Sequence, residues 1–189
     1  MNPTVEEIVL VDEQNTVLGT LPKSEVHTSH TPLHRGFSVF LFDQAGNVLL
    51  QQRSAYKQTW PLIWSGSCCG HPMLDESLEH AIRRRTLFEL GISEITSLQE
   101  ILPHFRYQCV RNGIMENEIC PVWVGTISSA LSPNPQEVAA TLWKSWEDFS
   151  RTISQHPGTY SEWCELEVAA LNKELPFNEY RKTLNSTQN

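Results

Sequence analysis

One helix constrains this chain more than any other segment. It should run from about Glu76 to Leu90, behind a stretch, Trp60–Pro72, too rich in Gly, Pro, Ser and Cys to be regular. Gly91 follows as a natural C-terminal cap. At about 100° per residue, Leu78, Ala81 and Ile82 define one apolar stripe, and Arg85 and Glu89 fall in its middle. Charges that face a core are costly unless they are paired or serve a site. The helix therefore hides an i,i+4 ion pair or lines a functional cleft. Its position directly behind Cys69-Gly70-His71 favours the cleft.

Strand patterns surround this helix. Ile8–Val11 and Val17–Leu21 flank a turn at Asp12–Asn15, an N-terminal hairpin. A polar stretch, Lys23–Pro32, follows. Phe37–Phe42 and Val48–Gln52 flank Asp43–Asn47 as a second hairpin. Phe105–Val110 and Glu118–Ile127 read as strands around the Arg111-Asn112-Gly113 turn. Ser128–Pro135 is a loop, Trp143–Trp146 a short strand, and Glu147–Gln155 and Glu162–Lys173 are helices. Strands interrupted by few helices imply an α+β sandwich, with helices covering a mixed sheet. With no repeat or low-complexity tract, residues 1–189 should form a single domain, and the polar tail Lys182–Asn189 should fray.

The formal net charge of −8 disfavours a nucleic-acid partner but leaves room for a small anionic ligand held by a few focused cations. Five Cys, with Cys68 and Cys69 adjacent, make a poor disulfide framework. The N-terminus lacks the basic and apolar regions of a signal peptide, and no apolar run reaches the ~20 residues that span a bilayer. Reduced thiols, no membrane partner, a cytoplasmic location and a monomer are expected.

Two ligand types suggest a metal. His27, His34 and His71 come from separate segments, and Glu116 and Glu118 share one face of a strand. Together they could fill most of an octahedral shell around Mg²⁺ or Mn²⁺; Zn²⁺ usually takes fewer ligands. His30, His80, His104 and His156 are ordinary surface residues on this reading. Cys68 and Cys69 both sit where a helix N-terminus and cations could activate a thiol, and residue chemistry alone does not choose between them. Cys109, Cys120 and Cys164 have apolar contexts and read as inert core residues.

The run Gly70, Glu76, Arg84 and Glu89-Leu90-Gly91-Ile92 resembles the Nudix box, a loop–helix–loop on an α/β/α sandwich. The hydrolase form carries Arg-Glu-apolar-any-Glu-Glu; here Arg84-Arg85-Thr86-Leu87-Phe88-Glu89 keeps only the last acid. Other segments resemble the type I isopentenyl-diphosphate isomerases of that fold, in order and spacing from about residue 5 to 170. They are Lys23–His27, Leu33-His34, Arg53 to Lys57, Trp64 to Pro72, Phe105-Arg106-Tyr107 and Glu116–Pro121. Two departures stand out: Gly66 replaces a frequent Asn, and the match around Trp163 is loose.

The resemblance implies a Nudix-like α/β/α sandwich with an N-terminal hairpin extension. It also implies interconversion of isopentenyl and dimethylallyl diphosphate by protonation and deprotonation. Cys69 would be the base, and Glu118 with Tyr107 the proton donor. His27, His34, His71, Glu116 and Glu118 would hold one divalent metal. Glu89 would help bind a second Mg²⁺ arriving with the diphosphate. Lys23, Arg53, Lys57 and Arg85 would bind the diphosphate, and Trp163 would face the hydrocarbon. A Nudix hydrolase of a nucleoside diphosphate derivative is the competing expectation, and a non-catalytic metal-stabilised binding module the third.

Overall fold

A computed structural model describes residues 6–186, with side chains through Leu184. The central strand, β4 (Phe37–Phe42), is buried on both faces, so its side chains alternate between two cores. Phe40 and Phe42 enter one core with Trp146, Phe149, Trp163 and Phe177. Phe37, Val39 and Leu41 enter the other with Ala81, Ile82 and Leu90. Helix α2 (Leu78–Leu90) covers the second face. Helices α3 (Trp146–Gln155), α4 (Glu162–Leu171) and α5 (Leu175–Ser186) cover the first. This is the expected α/β/α layering on a mixed sheet.

β4 pairs with β5 (Asn47–Arg53) only at Phe42↔Val48, and the hairpin then splays open. The fork is filled by β6 (Trp64–Ser65), which pairs with β5, and β7 (Cys68–Gly70), which pairs with β4. At its apex the Ser67 hydroxyl donates to Leu49 O at 2.6 Å and accepts from Leu41 N at 2.7 Å. One small polar side chain thus satisfies two backbone groups that the splayed ladder leaves orphaned. Gly66 beside it is required by space, since a Cβ there would lie 2.9 Å from the Phe40 ring. The stretch Trp60–Pro72 is therefore not irregular throughout; its two short strands are too brief to show a period of two.

The seven-stranded sheet is completed by β8 (Thr96–Leu102), β11 (Val122–Thr126) and β12 (Val138–Ser145), in the order β12-β5-β4-β11-β8. A five-stranded sheet runs β2-β1-β3-β10-β9. It joins the N-terminal hairpin β1 (Glu7–Val11) and β2 (Val17–Pro22) to β3 (His34–Arg35), β9 (Arg106–Arg111) and β10 (Ile114–Ile119). The stretch Glu118–Ile127 is thus not one strand: it breaks at Cys120-Pro121, where proline lacks an N–H, and its halves lie in different sheets.

Other boundaries differ from expectation for similar reasons. The polar stretch Lys23–Pro32 contains a one-turn helix, α1 (Lys23–Val26). Helix α2 starts at Leu78 because Ser77 caps it, accepting from His80 N at 3.3 Å. Gly91, at φ 71°, closes it by donating to Leu87 O. The last strand is eight residues long, and Trp146 opens α3 instead of ending the strand. Lys182–Ser186 continue α5, anchored by buried Phe177, Tyr180 and Leu184, so that part of the tail is not frayed; residues 187–189 lie outside the described region.

Candidate active site

A cleft of about 420 Å³ opens where the fork meets the five-stranded sheet. In β7 consecutive side chains point to opposite faces, and this separates the adjacent thiols. Cys68 is fully buried in the α2-side core, whereas Cys69 lines the cleft with its Sγ 3.1 Å from Ser38 Oγ. Burial, reinforced by the Glu167 carboxylate, pushes the Cys69 thiol up to about 12.

Opposite Cys69, β10 presents Glu116 and Glu118 to the cleft, both nearly buried. His27 Nε2 lies 2.9 Å from Glu116 Oε1, and His71 Nε2 lies 2.9 Å and His34 Nε2 3.3 Å from Glu118 Oε1. The imidazole centroids are 5.2–5.9 Å apart. One ligand atom each from His27, His34, His71 and Glu116 lies within 4.8 Å of all the others. His34 Nε2 and Glu116 Oε1 are buried without a hydrogen-bond partner, the arrangement expected of lone pairs aimed at a cation. His34 Nδ1 bonds Pro32 O at 2.9 Å, which fixes the tautomer that leaves Nε2 free to ligate. The donor set fits a divalent metal.

Tyr107, on β9 directly across from Glu118, donates its hydroxyl to Glu118 Oε2 at 2.9 Å. Burial would raise the Glu118 carboxyl, but the imidazoles of His34 and His71 against its oxygens outweigh it and hold it well below the carboxylate range. Burial pushes His71 down to about 4 and, with Glu118, pushes Tyr107 well up. Gly36 is fixed by this approach, because a Cβ there would collide with the Glu118 carboxylate.

The cleft's other end is cationic. Lys23, Arg53, Lys57 and Arg85, the cations that the family resemblance implied, all line it. Arg85 is ion-paired with Glu89, and Gln51 Nε2 donates to Glu89 at 3.2 Å. Burial works against both charges of the pair; Glu89 keeps Arg85 protonated, and Arg85 keeps Glu89 ionised. Glu89 itself sits beneath Arg85 and is not part of the cleft wall. The two box residues Glu76 and Arg84 form a bidentate pair at 2.8 and 2.7 Å, and Arg84 also donates to His71 O at 3.1 Å. The box thereby ties the His71 loop to α2.

Trp163 lines the cleft from α4, stacked on Tyr107 at 5.9 Å and edge-on to Trp60 at 5.3 Å, with the Arg53 guanidinium over its ring.

The NUDIX domain model matches residues 32–177. An isopentenyl-diphosphate Delta-isomerase of Salmonella arizonae is 44% identical over 178 residues, covering 94% of this chain and 97% of its own. The chain belongs to the isopentenyl-diphosphate Delta-isomerase family. A member of that family from Paenarthrobacter aurescens is 45% identical over 172 residues, covering 90% of this chain and 92% of its own. Two solved structures share the fold at 19% identity. One, from Deinococcus radiodurans, has a TM-score of 0.67 over 87% of this chain and 98% of its own. The other, the MutT protein from Methanosarcina mazei Go1, has a TM-score of 0.58 over 75% and 96%.

In this isomerase-family chain, His30, His80, His104 and His156 are exposed, as expected. Cys120 and Cys164 are buried and Cys109 half-buried. Among the residues of the site that sequence reasoning missed are four ionisable or hydroxyl side chains, Glu6, Glu137, Ser38 and Glu167. Glu6 and Glu137 line the cationic end, where Glu6 bonds Lys23 at 3.0 Å and Glu137 pairs with Lys57. Burial would raise Glu6, but Lys23 and Arg85 hold it at about 2. No motif marks either residue. Ser38 and Glu167 are buried beside Cys69, and the four-residue step from Trp163 to Glu167 was the one available signal.

Proposed function

We propose that this protein interconverts isopentenyl and dimethylallyl diphosphate, through a tertiary carbocation, with the Glu118–Tyr107 pair delivering the proton held on the Tyr107 hydroxyl and Cys69 removing one. The observation that carries this reading is the single cleft with three chemistries. It has a thiol on one wall, a carboxylate–phenol pair within a His/Glu cluster opposite, and four cations at the end. An unactivated alkene is a weak base, so its proton donor must be held close and dry. The Tyr107–Glu118 pair is buried and fixed by His34 and His71. Protonation of the terminal methylene leaves the positive charge on the adjacent branched carbon, where the Trp163 face lowers its energy. Cys69 then takes the proton from the carbon nearer the diphosphate. A thiol whose pKa burial has raised gives, once ionised, a stronger base than a free cysteine thiolate.

His27, His34, His71, Glu116 and Glu118 would hold Mg²⁺, Mn²⁺ or Zn²⁺, and a cation there supplies positive charge that acidifies groups beside it. Lys23, Arg53, Lys57 and Arg85 orient the diphosphate, and Glu89, once its ion pair with Arg85 opens, would help hold a second Mg²⁺ carried with it. The residues 1–189 act as one domain. The site argues against hydrolysis: the box helix carries Arg85 and Phe88 at positions where the hydrolase form has acids.

In deuterated water with Mg²⁺ or Mn²⁺, purified protein should convert isopentenyl diphosphate to its allylic isomer, with deuterium in the new methyl group and no phosphate release. Cys69→Ala should lower turnover by about 10²–10⁴-fold. Undiminished turnover in that variant, or phosphate as the product, would sink the reading.

A further inference from the structure

The least explained group in the molecule is Glu167. It is fully buried on α4, and neither carboxylate oxygen has a hydrogen-bond partner among the described residues. An unpaired buried carboxylate is among the costliest features a core can carry. It sits four residues after Trp163, on the helix face that closes the cleft. The hydrogen-bonding side chain that faces it is Ser38, which does not close a full hydrogen bond. Ser38 Oγ is also 3.1 Å from Cys69 Sγ and 3.6 Å from Cys120 Sγ.

A serine hydroxyl has one hydrogen to give. Where it points depends on what faces its oxygen from the other side. We infer that Glu167 is a positioning residue for Cys69: as a neutral acid it donates to Ser38 Oγ, which turns the Ser38 hydrogen toward the Cys69 sulfur. A hydrogen bond donated to the sulfur favours its ionised, basic form. With Glu167 ionised, the Ser38 hydrogen turns to the carboxylate instead and the sulfur loses its donor.

Burial pushes the Glu167 carboxyl up to about 8, so its acid form is present at neutral pH. The groups facing it are Cys69 from β7, Glu118 from β10, Cys120 just beyond β10, and Cys164 on its own helix. The three thiols are pushed up by burial and Glu118 is held ionised. Among these groups, Glu167 is the one that changes charge near pH 8.

The inference rests on the isomerase reading, and one experiment separates the two. Turnover of isopentenyl diphosphate by metal-loaded parent, Glu167→Gln and Glu167→Leu proteins is measured from about pH 6 to 9.5, with melting temperature reporting the fold. The parent should lose kcat as pH rises through the Glu167 titration. Glu167→Gln keeps a permanent N–H donor, so it should hold kcat and lose that alkaline limb. Glu167→Leu removes the donor and should lose about 10- to 100-fold in kcat at all pH values, with KM little changed. A folded Leu variant with the parent's kcat and pH profile would overturn the inference alone. A Gln variant that keeps the parent's alkaline limb would do the same. A parent that isomerises nothing overturns the isomerase reading and this inference together.

Discussion

At the scale of single residues, the site depends on side chains that differ from their neighbours only in direction. Cys68 and Cys69 share a sequence neighbourhood, yet one is core and the other lines the cleft, because successive residues of β7 face opposite ways. The motif resemblance selected Cys69; composition and spacing did not. Gly36 makes a complementary case. Its role was invisible in the sequence, since the contact that fixes it comes from Glu118, 82 positions further along. Gly36→Ala should displace the Glu118 carboxylate while leaving the strands intact. Bound metal, measured by elemental analysis, should fall by about 10-fold or more, with an unchanged far-ultraviolet circular dichroism spectrum. Full metal occupancy in that variant would refute a close packing of Gly36 on the ligand.

Among the elements, the splayed hairpin and α2 matter most. The hairpin's existence was legible from its alternating apolar runs and its Asp-Gln-Ala-Gly-Asn turn. Its splaying was not, because no local pattern announces that β6 and β7 will enter the gap. Ser67 holds that arrangement, and Ser67→Ala leaves Leu41 N and Leu49 O without their partner. The expected loss is about 2 kcal/mol in urea unfolding. A change near zero would show that the fork is held by packing alone. Helix α2 was read nearly to its ends from its stripe and its Gly91 cap. The inward Arg85 and Glu89 proved to be both of the things weighed at the outset: an ion pair, and through Arg85 a cleft wall.

For the whole molecule, ionisation sets the pH range of stability. Glu76 is held at about 2, first by its hydrogen bonds from Arg84, and Glu6 at about 2 against its burial, by Lys23 and Arg85. Both lie below the ordinary carboxylate value of 4.5. Folding therefore gains stability from them that is full above about pH 4.5 and is lost as pH falls toward 2. Glu167 acts in the opposite sense, since its folded value is raised: its penalty grows as pH rises from about 4.5 to 8. The melting-temperature gap between parent and Glu76→Gln should accordingly be largest above about pH 5 and close toward pH 2. A gap constant across that range would refute the linkage. The chain's periodicities and turn residues were enough for the layered α+β fold, and its motifs, through the resemblance they carry, for the family and for the candidate residues that meet in the cleft. These signals are local, or repeat in a fixed order along the chain. The fork, the sheet switch at Pro121, the acids Glu6 and Glu137, and the buried Glu167 behind Cys69 came only with the folded molecule. Each depends on contacts between segments far apart in sequence, and no periodicity encodes which distant backbone or carboxylate will arrive beside a given side chain.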